Sequence, residues 1–240
     1  MIPRTVINFR IQYRARELSR YYSGIGHFCF TSFVSLGVIA FVLSRLERVT
    51  WWQLLAVPAT FLLANYVEYR WHKGPMHHLA SPLGLLFERH TVQHHHFFTH
   101  DAMAYEGVSD FKMVLFPPVM LLFFLGLHAV PIAVLLYYLV SPNVAYLNVA
   151  TAVGYFLTYE WLHVGYHLRE DSWVGRLPVM QTLREHHTIH HNLALMNRYN
   201  FNITFPICDW LFGTSYKSGA HAQAPSLKND PEADSTEMAR

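Results

Sequence analysis

The sequence predicts an all-α integral membrane protein: four transmembrane helices in two hairpins, with a cytosolic helical cap that holds a histidine-rich dimetal site. Three observations carry that expectation. The 240 residues are 52% hydrophobic and only 14% charged, against roughly a quarter charged in ordinary soluble domains. Three long stretches hold no Asp, Glu, Lys or Arg: Tyr21 to Ser44, Val49 to Val67 and Met113 to Tyr159. Finally, 14 of the 17 histidines fall in two windows, Trp71 to Asp101 and Trp161 to Asn192. A mean hydropathy of +0.15 and 15% aromatic residues exclude intrinsic disorder. The formal charge of +2 supplies no basic field for nucleic acid. Cys29 and Cys208 are too few for a disulfide framework or a cysteine-rich metal site.

The elements follow in chain order. Residues 1–24 form a cytosolic basic segment carrying Arg4, Arg10, Arg14, Arg16 and Arg20, and no small-residue cleavage site marks it as a secretory signal. A bilayer core takes about 20 helical residues to cross, so the 24-residue and 19-residue uncharged stretches each fit one span, joined by Arg45-Leu46-Glu47-Arg48. The third stretch would make roughly 70 Å of helix at about 1.5 Å per residue, too long for one crossing. It crosses and returns at Ser141-Pro142-Asn143, where Pro turns the preceding residue away from helix and Asn favours a turn. The membrane-embedded domain is then 25–216, and the polar tail 217–240 reads as disordered. Basic residues accumulate on the cytosolic side. The five N-terminal arginines therefore place both termini, Glu68 to Lys112 and everything after Glu160 in the cytosol. A soluble protein would bury these stretches as core helices, but together they outrun what a chain of this length can bury.

Both histidine windows begin where a predicted span ends, at Glu68 before His72 and at Glu160 before His163. Residues three and four apart share a helix face. That groups His163 with His167, His187 with His190 and His191, and His90 with His94, with His95 beside them. His72 and His77 are five apart, about 140° on a straight helix, but Gly74-Pro75 ends that helix and lets His77 approach from a new direction. Neutral imidazole is the commonest metal ligand. About ten of them exceed the roughly four to six ligands one ion accepts, so two metals are implied. The candidate ligands are His72, His77, His90, His94, His95, His163, His167, His187, His190 and His191. A ligating imidazole gives its other N–H to a carboxylate or carbonyl, and Glu68, Glu160, Glu185 and Asp209 are placed to accept it. His27, His128 and His221 read as isolated, satisfied residues. His78, His96 and His100 stay open, as does the choice between His186 and His187, where spacing to His190 and His191 favours His187.

At these residues the chain resembles the membrane-bound fatty acid hydroxylase and sterol desaturase superfamily, whose signature is a set of histidine boxes on a four-span core. Glu68-Tyr69-Arg70-Trp71-His72 through His77 is similar to its first box and His90-Thr91-Val92-Gln93-His94-His95 to its second. His163-Val164-Gly165-Tyr166-His167 resembles the third, and His187-Thr188-Ile189-His190-His191 the fourth. Further matches are Phe116-Pro117-Pro118, Gly154-Tyr155, Asn200-Phe201 and Asp209-Trp210-Leu211-Phe212-Gly213-Thr214, so the resemblance runs from about Asn65 to Thr214. It is closest to the acyl-chain, sphingolipid-type 2-hydroxylases. Two departures stand out: three residues separate His90 from His94 where those enzymes usually have two, and Asn202 stands where Gly is common.

The resemblance implies an oxidoreductase with two non-haem irons, zinc being possible in the isolated protein, that activates O2 for attack on an unactivated C–H bond of a lipid acyl chain. Imidazole-rich sites suit Fe, Zn, Cu or Ni. Gly24-Ile25-Gly26 is too short for a dinucleotide fingerprint and no cysteine set fits an iron–sulfur cluster. Electrons are therefore expected from a separate reductase, ferredoxin or cytochrome. The other partners are the lipid substrate and the membrane. A desaturase or sterol oxidase would use the same metals. A metal transporter or metal-binding membrane protein would need ionisable residues near the bilayer midplane, where this chain offers only His128. With no fused cytochrome b5 domain and no dilysine-type retrieval signal, the expected location is a bacterial inner membrane, multi-pass, with the active site facing the cytosol.

Overall fold

Long uncharged segments leave the backbone no solvent to bond with, so each must close its hydrogen bonds internally as helix. A computed structural model describes residues 2–217; among them are helices and connecting segments and no β-strand. The disordered tail expected from residue 217 onward, with His221 in it, lies outside the described residues apart from Lys217.

The first helix, α1 (Arg4–Glu17), places Arg14 and Arg16 in its last turn, where they offset the negative end of the helix dipole. Helix α2 (Gly24–Leu43) starts at Ser23, whose hydroxyl accepts the Gly26 N–H at 3.0 Å. A tight 3-10 turn, Trp51–Leu55, leads into α3 (Ala56–Trp71). Three short helices follow, α4 (Gly84–Phe87), α5 (His95–Phe97) and α6 (Phe111–Val114). Then α7 (Pro118–Phe124), a π-helical turn (Leu125–Ala129) and α8 (Val130–Leu139) run as one outward arm. Pro142 opens α9 (Pro142–Tyr166), placing the reversal at the predicted Ser141-Pro142-Asn143. Helix α10 (Pro178–His190) and the short α11 (Ile207–Leu211) complete the described chain.

Among the described residues, two runs are long and apolar enough to cross a membrane, Gly24–Leu43 and Val108–Leu139. Their outward residues are apolar: Phe33, Phe41, Leu122, Tyr138 and Leu139 are all exposed. Exposure on that scale fits a hydrocarbon surround and would be a liability in water. The predicted second and fourth spans correspond to α3 and α9, which are helical as well.

Helix α9 packs against α2, α3 and α8. Side chains tie the two hairpin turns together at one end. The Asn143 amide donates to the Glu47 carbonyl at 2.6 Å and to Gln53 Oε1 at 3.0 Å, and the Gln53 amide donates to Ser141 Oγ at 2.9 Å. With their starts pinned side by side, α3 and α9 run in the same direction and emerge together at the other end. Gly165 there lets α9 approach α10: a Cβ would stand 2.7 Å from Met180 Cε.

Candidate metal centre

The ends of α3, α9 and α10 and the turn before α5 bring all ten candidate histidines together. They form two groups of five. His72, His77, His90, His95 and His190 make one; His94, His163, His167, His187 and His191 make the other. All ten are buried, and within each group the potential ligand nitrogens lie within 4.8 Å of one another. The groups adjoin: the His95 and His191 rings stack at 4.4 Å.

Local backbone geometry explains the first group. A π-helix repeats its hydrogen bonds at i and i+5, and π-helical turns occupy His72–Met76 and Glu88–His94. Residues five apart, which an α-helix would splay, therefore converge. The His72 and His77 rings are 4.9 Å apart and those of His90 and His95 4.8 Å apart. Gly74 departs from helical geometry, with ψ −108°, inside the first turn, as the Gly-Pro pair anticipates. The second turn also absorbs the additional residue between His90 and His94.

The hydrogen bonds fix tautomers. Nδ1 faces a backbone carbonyl in five rings: His72 to Phe201, His94 to Met113 at 2.8 Å, His167 to Met103 at 2.7 Å, His190 to Tyr199 at 2.9 Å and His191 to Phe98 at 2.5 Å. A carbonyl only accepts, so Nδ1 carries the hydrogen and Nε2 keeps a bare lone pair. Those Nε2 atoms point at one another. Separations run from 2.7 Å (His72 and His90) through 3.0 Å (His77 and His190) and 3.2 Å (His94 and His191) to 3.3 Å (His167 and His187). Burial holds the imidazoles neutral, lowering His72 and His94 to about 3 and His190 and His191 well below the ordinary range. Convergent, neutral lone pairs repel unless a cation lies among them, and neutral imidazole is the form that binds metal. Each group thus has the donor set that could hold a metal ion.

The four carboxylates act differently from expectation. Asp209 accepts the backbone N–H groups of Phe201 (2.9 Å) and Asn202 (2.7 Å), the Thr214 hydroxyl (2.6 Å) and His186 Nε2 (3.2 Å). Glu68 accepts from the N–H of Ile203, from both N–H (3.0 Å) and hydroxyl (2.6 Å) of Thr204, and from the Tyr155 hydroxyl. Both therefore fix segment 201–204, whose Phe201 carbonyl backs His72, one step removed from the imidazoles. Glu160 accepts the Phe116 N–H at 3.2 Å, and its Oε2 has no partner among the described residues. Glu185 is exposed. Two residues from His187 on α10, it lies about 200° around the helix and cannot support that ring. Carbonyls of connecting segments reach Nδ1 where carboxylates were expected.

His78, His96 and His100 are exposed and stand outside both groups; His186 bonds Asp209 while His187 joins a group. His27 is satisfied by the Tyr22 hydroxyl and the Phe116 carbonyl. Asn202, a departure from the resembled motif, uses its side chain: Nδ2 donates to the Asn65 carbonyl at 3.0 Å, and Oδ1 accepts the Cys208 N–H at 3.0 Å.

A cavity of about 120 Å³ opens beside the first group, reaching His72, Glu68 and Met76 and extending between α3, α8 and α9. Its walls are mainly apolar, with few polar groups among them, as in sites that take apolar ligands. His128, read as isolated, lines it and accepts the Trp71 indole N–H at 3.2 Å.

A family model described as fatty acid hydroxylase matches residues 57–214. The chain belongs to the fatty acid hydroxylase family. Among solved structures it is similar to one described as full-length scs7p with only the hydroxylase domain visible, at a TM-score of 0.54 and 19% identity. The likeness covers 78% of this chain and 64% of that one. No curated protein sequence matches significantly. The matched region holds both histidine groups and leaves out α1 and α2.

Removing the Glu68 carboxylate strands the buried N–H groups of Ile203 and Thr204, at about 1–3 kcal/mol each. Glu68→Ala is expected to lower unfolding free energy by about 3 kcal/mol or more. Glu68→Gln can turn its NH2 toward the Tyr155 and Thr204 hydroxyls and still accept from the backbone, so its loss stays near 1 kcal/mol. Thermal unfolding in detergent micelles compares the two. Equal losses would show that the backbone N–H groups are satisfied by something other than Glu68.

Proposed function

We propose that this protein is a membrane-bound, O2-dependent di-iron hydroxylase that inserts an oxygen atom into a C–H bond of a lipid acyl chain, with electrons from a separate donor. The observation that carries this reading is the apolar cavity ending at His72, beside two buried five-histidine groups. Family membership supports a lipid hydroxylase, and the motif resemblance points to the acyl-chain 2-hydroxylases within it.

The ten grouped histidines are proposed as the ligands. Irons bound there would supply the activation of O2; a lipid C–H, O2, two electrons and two protons yield the alcohol and water. The chain's own contribution is positional. Phe201, Tyr199 and Phe98 carbonyls hold the imidazole planes, the apolar walls of α3 and α9 orient a hydrocarbon tail, and burial excludes bulk water from the reacting carbon. We place α2, α3, the α7–α8 arm and α9 as four spans, with domain limits 25–216 and the histidine cap on the cytosolic face of a bacterial inner membrane.

The test is mass spectrometry of total lipids from cells with the protein, without it, and with His187→Ala plus His190→Ala, in a host with a competent reductant. Gain of one oxygen in a lipid class, absent from the variant, is expected. Loss of two hydrogens instead would mean desaturation. No lipid change would overturn the enzyme reading.

A further inference from the structure

We propose that Thr60 and Asn148 form a polar stop at the far end of the cavity and set the length of acyl tail the protein accepts. The inference rests on the hydroxylase reading and adds to it a substrate length. Both residues are buried, on α3 and α9 respectively, and the Asn148 amide donates to Thr60 Oγ1 at 2.9 Å. Both line the same cavity that His72 lines.

Their place on the helices puts them at its remote end. Helices α3 and α9 run in parallel toward the histidines, so Thr60, early in α3, and Asn148, early in α9, lie at the end opposite His72. The twelve residues from Thr60 to His72 span about 18 Å of helix. An extended hydrocarbon advances about 1.3 Å per carbon, from a 1.52 Å bond at a near-tetrahedral angle. About fourteen carbons therefore fit between the stop and the metal site at ~1.3 Å each.

The chemistry of the pair makes it a floor. Between it and His72 the walls carry Leu63, Val67 and Phe156, with small Ala64 and Ala152 one turn nearer the histidines. Asn148 Oδ1 has no hydrogen-bond partner among the described residues. A tail growing past this level would have to separate the amide from the hydroxyl and leave both facing hydrocarbon, the least favourable setting for either. A methyl end that halts short of it keeps the bridge intact.

The experiment feeds cells carrying the full chain a ladder of even-numbered fatty acids and reads hydroxylated lipid by acyl length. Thr60→Ala with Asn148→Ala lowers the floor, and the longest hydroxylated tail is expected to grow by about two carbons at ~1.3 Å per carbon. Ala152→Leu fills the channel one turn nearer the histidines and is expected to shorten it by about four carbons, one helical pitch of 5.4 Å. Should the double variant fail to accumulate, Ala152→Leu still tests the premise: an unchanged longest tail would mean that the tail does not lie in this channel and would overturn the stop. Hydroxylated lipid with an unchanged length profile in the variants would overturn the stop while leaving the hydroxylase reading in place. Absence of hydroxylated lipid from the unaltered protein would overturn both.

Discussion

Replacing His77 with Ala is expected to remove one metal of two and abolish hydroxylation, and His163→Ala is expected to do the same from the other side of the centre. His77 belongs to the group with His72, His90, His95 and His190, and His163 to the group with His94, His167, His187 and His191. Losing a residue that merely supports a ligand costs about 10–100-fold in affinity or activity, so losing a ligand should cost at least about 100-fold. Metal content of purified protein separates the groups. Each single variant should fall from about two ions per chain to about one, and the double variant to none, while activity is already lost in each single variant because the groups act as a unit. His78→Ala is the control, since His78 is next in sequence to His77 yet exposed; metal content and activity should stay within about twofold, as for surface substitutions generally. Two ions per chain in both His77→Ala and His163→Ala would sink the ligand assignment.

Much of this arrangement was readable from residue types and spacing. Charge is costly in hydrocarbon, so the gaps in charge mark α2, the Trp51–Trp71 segment and the α7–α9 reversal closely. The ten grouped histidines stood out because a metal site would concentrate one residue type, and the structure brings all ten together. How they divide was not. His187, His190 and His191 share one helical cluster, yet His190 sits in one group and the other two in the second. On α10, position i+3 falls about 60° to one side of His187 and i+4 about 40° to the other, so one helix faces two centres. His72 and His77 converge across the kink at Gly74-Pro75, which the sequence marks, whereas His90 and His95 converge because the backbone widens to a π-helix, which α-helical spacing rules do not anticipate. The supports of the imidazoles were invisible for a different reason. Every residue has a carbonyl, so sequence cannot mark those of Met103, Met113 and Phe201, and the carboxylates drew attention in their place.

The sequence presented Arg10 only as part of a basic N-terminal segment, and the structure makes it the anchor of one wall of the second histidine group. Its guanidinium is 1% exposed, donates to the carbonyls of Phe97 (2.9 Å) and Ala102 (2.6 Å) and to Glu106 (2.9 Å), and lies 5.1 and 5.4 Å from the Phe97 and Phe98 ring centres. Arg14 reinforces it through Asp110 and Glu106 at 2.7–2.9 Å. The segment so held carries the Phe98 carbonyl that backs His191, the Phe98 ring 4.1 Å from His167, and the Met103 carbonyl that backs His167. Arg10→Ala strands two buried carbonyls at about 1–3 kcal/mol each and removes a cation–π contact of about 1 kcal/mol. A loss of about 3–7 kcal/mol in stability is expected from those contributions. The metal loss should fall mainly on the second group: the backing of His72, His77 and His190 comes from Phe201, Asn197 and Tyr199, none of which Arg10 touches, and in the first group only His95 shares α5 with Phe97. Metal analysis should find about one ion per chain in Arg10→Ala. Combining it with His163→Ala should remove no further metal, and combining it with His77→Ala should remove the rest. Arg10→Lys retains a cation over the phenylalanine rings but cannot reproduce the planar fork of donors, so it should fall between. Lowered stability with both ions retained would mean that Arg10 only holds α1 in place and leaves the second group unaffected.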